Sequence, residues 1–314
     1  MTGAPVLEPR FRPPPGLGWG QFTAADGAIL RWARLGPTSP PRVAVVLLGG
    51  FSEFIEKYFE TMADMTALDA DVWCLDWRGQ GGSPPHESRP GPRDYGRDAA
   101  DLIGFVDHVL GARLPRVAAA HSMGAAIALH ALRGRPDLFA AAALSAPMLA
   151  LASPIPAAPA EWLARAAVAL GAGRVLLPGT RMWPPGPDRG VAHSITSSDP
   201  ARDGLRRAWF AARPDLRIDG VTFAWLAGAF AFCRRLNRPE VLAAIRTPVL
   251  LGIAGQERFV DPAALRRAAT RLPNVRVQEF TAAKHELFME ADAIRAPWLA
   301  AIAAFTAEHA TGGP

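Results

Sequence analysis

Short apolar runs alternate with stretches of helically spaced apolar positions along most of the chain. Residues 42–48 are apolar almost throughout, which is typical of a strand covered on both faces of a sheet. Within 54–68, Ile55, Phe59 and Met62 recur at intervals of three or four, as they do on one side of a helix. The same two patterns predict strands at 18–22, 28–33, 70–77, 116–121, 141–147, 247–254 and 275–280, and helices at 95–110, 122–134, 262–272 and 293–309.

Strands that alternate with helices predict an α/β fold, with a mostly parallel sheet flanked by helices. The alternation stops between 149 and 245, where Pro and Gly are frequent and helical pieces have no strands between them. We therefore expect a discontinuous core of 17–148 and 246–309. The region 149–245 would be a helical cap, inserted between the strand near 141–147 and the strand near 247–254. The proline-rich residues 1–16 are predicted to be an extended N-terminal segment.

The net charge of the chain is concentrated in this predicted cap. It amounts to +5, and the 12 Arg and 7 Asp or Glu of 149–245 account for all of it. A basic excess favours contact with anionic lipid head groups or phosphate, although arginines on solvated helix faces would give the same count. No basic run with interleaved aromatic residues occurs, so we expect no nucleic-acid partner.

Cysteine content and the N-terminus bear on where the protein works. Two cysteines, Cys74 and Cys233, are too few for a disulfide framework, which favours a reducing compartment. The N-terminus lacks the apolar stretch of a signal peptide, and no run of about 18 apolar residues is present to span a membrane. We expect a cytoplasmic protein, and the basic cap leaves open a peripheral contact with the inner membrane surface.

The joint between the strand 116–121 and the helix that follows contains the candidate nucleophile, Ser122. Ala120 lies two residues before it and Gly124 two residues after it. Small residues at these positions allow a sharp strand-to-helix turn that presents the serine hydroxyl, as in a nucleophile elbow. An incidental serine in a tight turn would look the same over five residues. The interpretation therefore depends on a base, an acid and an oxyanion site elsewhere in the chain.

A serine nucleophile needs a base to take its proton and a carboxylate to orient the base. His285 follows the strand 275–280 and is the candidate base. Glu257 and Asp261 both follow the strand 247–254, which gives the chain order serine, acid, histidine of the α/β-hydrolases. Asp261 precedes a proline and has a sufficient structural role as the N-cap of the next helix. We predict Glu257 as the acid and keep Asp261 as the alternative.

Acyl transfer passes through a tetrahedral oxyanion that backbone N–H groups stabilise. One donor should be the N–H of Met123, directly after the candidate nucleophile. The second should come from the loop after 42–48, where Gly50 allows a close approach of the backbone, and the N–H of Phe51 is the predicted donor. The alternative is that Gly49 and Gly50 form only a tight turn.

Several stretches in a fixed order carry a resemblance to a known family. They are GGFSEFIEKY (49–58), DWRGQGGS (76–83), AHSMG (120–124), AGQERFVD (254–261) and KHE (284–286). In this combination the chain resembles the α/β-hydrolases, and more narrowly the bacterial lysophospholipase and monoacylglycerol lipase group, over nearly its whole length after about residue 16. Residues 196–202 and 214–220 also look like the lysophospholipase branch.

The resemblance implies Ser122 as nucleophile and His285 as base. The chain departs from the family pattern at four positions. Phe51 is bulkier than the residue common there, and Ala120 replaces the first glycine of the elbow. Glu257 stands where the family usually has an aspartate, and Gly49 replaces the histidine of the usual His-Gly pair. The change at Gly49 leaves a backbone donor in the same loop unaffected, because such a donor does not depend on the side chain.

Residues and resemblance together predict a serine hydrolase that cleaves carboxylic esters through an acyl-enzyme, with a lysophospholipid or monoacylglycerol as substrate. Gly50 and the cap tryptophans Trp183 and Trp225 are expected to contact the substrate, although tryptophans more often serve packing alone. No metal or organic cofactor is implied. The same triad would serve a short-chain esterase, a thioesterase, a proline-type aminopeptidase or an acyltransferase. A non-catalytic hydrolase-fold protein that binds lipid or a partner is the alternative of another class.

Overall fold

A single sheet of eight strands organises the computed structural model, which describes residues 5–111, 113–185 and 193–310. The strands follow one another in the order β1-β2-β4-β3-β5-β6-β7-β8. Pairs β1–β2 and β2–β4 are antiparallel, and all other neighbours are parallel. The strands are β1 (Gly18–Thr23), β2 (Ile29–Leu35), β3 (Val43–Leu48), β4 (Ala70–Leu75), β5 (Arg116–His121), β6 (Ala141–Ser145), β7 (Val249–Ala254) and β8 (Val275–Phe280).

Helices cover both faces of this sheet. Those in the described ranges are α1 (Phe59–Thr66), α2 (Tyr95–Phe105), α3 (Ser122–Gly134), α4 (Ala157–Ala169), α5 (Pro200–Ala212), α6 (Phe223–Leu236), α7 (Pro239–Ala243), α8 (Pro262–Ala269) and α9 (Asp292–His309). None of them is long and apolar enough to cross a membrane. The mostly parallel sheet with flanking helices confirms the predicted α/β-hydrolase fold.

The apolar composition of the central strands follows from their position in the sheet. Every residue of β3, β4, β6 and β7 is buried, because parallel strands are covered by helices on both faces. One apolar core lies on the side of α2 and α3, with Leu102 and Phe105 fully buried. The other lies on the side of α1 and α9, with Met62 and Trp298 fully buried. β8 forms the edge, and its residues are half-buried or exposed.

The insertion after β6 has the helical character that the sequence predicts. Four helices, α4 to α7, lie between β6 and β7, and the described residues of this region form no strand longer than an isolated bridge. Arg202 of α5 joins the region to the core, because its buried guanidinium forms ion pairs with Glu60 of α1 and Asp292 of α9. The helical insertion thus packs against the sheet's own helices.

Two predicted helices and the N-terminal segment differ from expectation. The segment 54–68 begins with a 3-10 turn, Ile55–Tyr58, before α1, and 95–110 ends in a π-helical turn, Val106–Leu110. The segment 1–16 is not wholly extended: Pro9–Phe11 form a 3-10 turn. Burial of Phe11 in the core beside α1 explains this turn, because it anchors the N-terminal segment. Residues 1–4 of the segment lie outside the described residues.

Candidate active site

Ser122 lies at the first position of α3, immediately after β5. Its backbone φ is 49°, a left-handed conformation that is unusual for a residue other than glycine. The turn requires small neighbours. A Cβ atom on Gly124 would lie 2.5 Å from the carbonyl oxygen of Gly49 and 2.7 Å from that of Leu48. This is the geometry of a strained strand-to-helix elbow, and strain of this kind concentrates at functional sites.

The structure brings three of the predicted polar residues together. His285 Nε2 lies 3.0 Å from Ser122 Oγ, and His285 Nδ1 lies 2.6 Å from Glu257 Oε2. The second oxygen of Glu257 accepts hydrogen bonds from the backbone N–H groups of Arg258 and Phe259, at 2.8 and 2.7 Å. One carboxylate oxygen is therefore fixed by the backbone while the other faces the imidazole.

The two ionisable partners shift each other's pKa. Burial by itself lowers the pKa of His285, but the Glu257 carboxylate outweighs this effect and raises it above its usual value. Burial likewise favours the neutral form of Glu257, yet His285 and the backbone N–H groups hold its pKa below the usual range. Glu257 is thus ionised at neutral pH and favours the protonated imidazole. An imidazole in this environment can accept a proton from Ser122 and hold it.

Asp261 lies outside this arrangement. Its carboxylate accepts a hydrogen bond from the N–H of Ala263, at 2.9 Å, and caps the N-terminus of α8. Its other oxygen pairs with exposed Arg267, at 3.1 Å. The structure therefore places Asp261 in the N-cap position that the sequence predicts.

Two predicted backbone donors, the N–H groups of Phe51 and Met123, lie on the loop after β3 and in the first turn of α3. Among the described residues, neither N–H has a hydrogen-bond partner, whereas the N–H groups of Gly50 and Ser52 both do. Gly50 is close to the elbow, because a Cβ atom there would lie 3.2 Å from the Ser122 Cβ. Two unpaired N–H groups near a serine hydroxyl are the arrangement that an oxyanion site needs.

A cavity of about 570 Å³ opens over Ser122 and His285. Gly50, Phe51 and Trp225 line it, and the rings of Phe51 and Trp225 are in contact, with their centroids 4.3 Å apart. Trp183 does not line this cavity, contrary to the prediction of a substrate contact. Its ring packs near Phe210 and lies 4.2 Å from the Arg217 guanidinium.

A buried ionic group that was not predicted from the sequence lies beside the cavity. Lys57 Nζ lies 2.7 Å from Glu286 Oε2 and also forms an ion pair with Glu53, and all three side chains are at least nine-tenths buried. Charges of opposite sign keep the group ionised: the pKa of Lys57 is raised despite burial, and that of Glu53 is lowered. A buried charged trio needs such pairing. The sequence feature that points to this group is the stretch EFIEK (53–57), because it combines charged residues with apolar residues that are typical of a buried turn.

Polar residues of other kinds also line the cavity. Arg181, Arg206, Arg207 and Arg258 contribute to its wall. His121, next to the serine, is buried, and this burial lowers its pKa to about 4, so it is neutral at physiological pH. The described ranges contain no group of three or more His, Cys, Asp or Glu residues that could hold a metal ion.

Comparison with known proteins gives consistent matches over most of the chain. The family model described as "Serine aminopeptidase, S33" matches residues 39–292. Lysophospholipase L2 of Escherichia coli strain K12 is 30% identical over 318 aligned positions, which cover 92% of this chain and 87% of that protein. The probable lysophospholipase L2 of Haemophilus influenzae is 28% identical and covers 82% of each chain.

Solved structures agree on the fold. A soluble variant of monoglyceride lipase from Saccharomyces cerevisiae, solved with a substrate analogue, superimposes with a TM-score of 0.75. It is 20% identical, and the match covers 97% of this chain and all of that one. A monoacylglycerol lipase from Paleococcus ferrophilus superimposes with a TM-score of 0.69 at 22% identity. At these identities the likeness concerns the fold.

Proposed function

The chain belongs to the serine aminopeptidase S33 family of α/β-hydrolases, and from this premise we propose that it is a lysophospholipase that works through a Ser122–His285–Glu257 triad. Its 30% sequence identity to lysophospholipase L2, over 92% of the chain, makes it a carboxylic ester hydrolase of the lysophospholipase and lipase kind. The observation that carries the triad is the continuous hydrogen-bonded path from Ser122 Oγ through His285 to Glu257.

The proposed reaction begins when Ser122 Oγ attacks the ester carbonyl carbon and its proton passes to His285 Nε2. The carbonyl oxygen becomes an oxyanion that accepts hydrogen bonds from Phe51 N–H and Met123 N–H. The bond to the leaving alcohol then breaks, and His285 returns the proton to that alcohol. Glu257 stabilises the imidazolium at Nδ1 throughout.

The second half of the reaction releases the acyl group. A water molecule gives a proton to His285 Nε2 and attacks the acyl carbon. A second oxyanion forms at the same N–H groups. Its collapse breaks the bond to Ser122 Oγ, which regains the proton, and frees the fatty acid.

Charges in the cavity favour a lysophospholipid over an aminoacyl substrate. An aminopeptidase needs a carboxylate that is free to bind the substrate's amino group. Three carboxylates of the described residues line the cavity here. Glu53 and Glu286 both pair with Lys57, and Asp203 accepts hydrogen bonds from the hydroxyl groups of Ser194 and Thr196. The arginines of the cavity wall instead complement a phosphate, which guanidinium groups bind well.

The helical insertion supplies a surface that fits an anionic lipid membrane. On α4, Trp162 is 67% and Leu163 50% exposed, and Leu170 just after the helix is 86% exposed. Arg165 and Arg174 beside them are also largely exposed. Apolar side chains flanked by cations suit the boundary between acyl chains and anionic head groups. We therefore place a peripheral membrane contact on this part of the predicted cap, 149–245, and a cytoplasmic location remains part of this proposal.

The decisive experiment combines a fluorophosphonate probe with a panel of lipid esters. We expect one label per chain, lost in Ser122→Ala, and faster hydrolysis of lysophospholipid than of monoacylglycerol, short-chain esters, thioesters or aminoacyl amides. Absence of labelling would favour a non-catalytic lipid-binding protein and overturn the proposal. Acyl transfer to an added alcohol in preference to water would indicate an acyltransferase. Equal rates with lysophospholipid and monoacylglycerol would contradict the proposal that the cavity arginines bind the phosphate of the substrate.

A further inference from the structure

The side chain of Gln80 contacts the proposed oxyanion loop at two consecutive peptides. Its Nε2 donates a hydrogen bond to the carbonyl oxygen of Gly50, at 3.2 Å, and its Oε1 accepts one from the N–H of Ser52, at 3.1 Å. Gln80 is 2% exposed. It lies in the loop after β4, far in sequence from the elbow and from the base. A single buried amide therefore bridges the two peptides on either side of Phe51.

These two contacts determine the direction of the Phe51 N–H. A trans peptide is planar, and its C=O and the following N–H point in opposite directions. Because the Gly50 carbonyl faces Gln80, the Phe51 N–H of the same peptide points away from Gln80. It is also the only N–H of residues 50–52 without a partner in the described part of the chain.

The conformation of the next residue shows that this loop needs such support. Ser52 is 1% exposed and has a backbone φ of 61°, in the left-handed region. A conformation of this kind is strained and persists only where the surroundings determine it. The hydrogen bond from Ser52 N–H to Gln80 is one such determinant. Without it, rotation of the peptides on either side of Phe51 would relieve the strain.

Two further contacts hold the start of the loop. Trp77 Nε1 donates to the carbonyl of Gly49, at 2.8 Å, and the Glu53 carboxylate accepts the N–H of Gly50. Gln80 itself is fixed by a tight turn, because its N–H donates to Trp77 O and its carbonyl accepts Ser83 N–H, each at 3.0 Å. The loop after β4 thus acts as a rigid support for the loop after β3.

We propose that Gln80 is a positioning residue that keeps the Phe51 N–H directed at the oxyanion. This inference rests on the proposed function. Gln80 touches neither the nucleophile nor the base, and both ends of its amide are required, one as donor and one as acceptor. Glutamate has the same shape but only acceptors, so Gln80→Glu would place a carboxylate oxygen against the Gly50 carbonyl and favour rotation of that peptide.

The test compares Gln80→Glu with Gln80→Met, which keeps the length but removes both contacts. Rates are expressed per serine labelled by fluorophosphonate at completion, so that unfolded protein does not contribute. We expect kcat to fall about 10²-fold in both variants, as on loss of one oxyanion donor, while KM stays within about threefold. Gln21→Glu, the same change on exposed edge strand β1, should behave like the unaltered protein.

A second measurement separates positioning from a merely structural role. An acyl-chain boronic acid forms a tetrahedral adduct on the serine, and a non-hydrolysable ether analogue occupies only the substrate site. We expect the boronic acid to bind about 10²-fold more weakly to both variants and the ether to bind equally well. Unchanged kcat, or equal weakening of both ligands, would overturn the proposal while the unaltered protein still hydrolyses esters. Failure of that protein to hydrolyse any ester would instead count against the proposed function.

Discussion

At the scale of single residues, the proposal that Glu257 is the acid depends on how its side chain folds back on its own loop. Glu257 uses Oε1 for the N–H groups of Arg258 and Phe259, which leaves Oε2 for His285. By chain order alone, Asp261 would suit the role of the acid as well as Glu257 does. In the structure its carboxylate is engaged at the N-terminus of α8. The two residues therefore make a matched pair for mutation.

Glu257→Gln is expected to lower kcat by about 10²–10⁴-fold, because the amide neither stabilises the imidazolium nor favours the correct tautomer. Asp261→Asn should change kcat by less than about twofold, since asparagine is also a good N-cap. The measurement is steady-state hydrolysis of a lysophospholipid, with circular dichroism as the check on folding. A larger loss in Asp261→Asn than in Glu257→Gln would show that the acid is misassigned.

The pH dependence of activity should report the raised pKa of His285. The imidazole must be neutral to accept the Ser122 proton, so kcat/KM should rise with pH and reach half its maximum above the ordinary pKa of 6.5. Removing the carboxylate charge in Glu257→Gln should move this midpoint to lower pH. The measurement is kcat/KM for a neutral ester between about pH 5 and 9. A midpoint that is unchanged in Glu257→Gln would mean that another group titrates.

At the scale of elements, the turn between β5 and α3 and the loop after β3 form one unit. Gly124 brings the first turn of α3, which contains Met123, against the carbonyls of Leu48 and Gly49, where the loop with Phe51 begins. The two N–H donors come from different elements, so their separation depends on how closely the helix approaches the loop. Because Gly124 has no side chain, it allows the short distance between the helix and the loop.

Gly124→Ala should therefore damage both stability and catalysis. The added methyl group would meet backbone oxygens that cannot move alone, and we expect a cost of about 1–3 kcal/mol in the free energy of unfolding. We also expect kcat/KM to fall by at least about tenfold as the donors separate. Urea unfolding and ester hydrolysis measure the two effects.

Gly134→Ala at the other end of α3 is the matched control. A Cβ atom there would meet nothing within 4 Å. Alanine has the higher helix propensity, so this variant should be as stable as the unaltered protein or slightly more so. If Gly124→Ala behaved in the same way, the close approach at the elbow would not matter.

At the scale of the whole molecule, charge is distributed unevenly. The core is close to neutral, while the insertion between β6 and β7 carries the net excess of arginine. Many of these arginines are paired, as Arg202 is with Glu60 and Asp292, and such pairs stabilise the attachment of the insertion. Arg165 and Arg174 near α4 are exposed and form surface ion pairs with Glu161 and Glu87, which are weak enough to be exchanged for contacts with a charged surface.

Binding to anionic vesicles should therefore weaken with salt. Raising the NaCl concentration from about 0.05 to about 0.5 M shortens the screening length and should lower vesicle binding by at least about tenfold. Hydrolysis of a water-soluble short-chain ester should stay within about twofold. Co-sedimentation with phosphatidylglycerol vesicles and with phosphatidylcholine vesicles measures the effect. Trp162→Ser should also weaken binding, whereas Val277→Ser, at an exposed position of β8, should not.

The sequence by itself determined the order of strands and helices, the place of the helical insertion between β6 and β7, and the elbow at Ser122. These follow from local patterns: burial on both faces makes the central strands apolar, and a sharp turn requires small residues at 120 and 124. Chain order also placed His285 and two candidate carboxylates at strand ends, because active-site loops of parallel sheets follow the strands.

Only the tertiary structure decided which side chains meet. The pairing of Lys57 with Glu286 joins residues 229 positions apart, and no local pattern records such a contact. The absence of Trp183 from the described cavity lining and the two hydrogen bonds of Gln80 also depend on tertiary packing. Each depends on the packing of loops that are separate in sequence. A buried polar group must find partners wherever the fold provides them, and periodicity in the sequence carries no information on that choice.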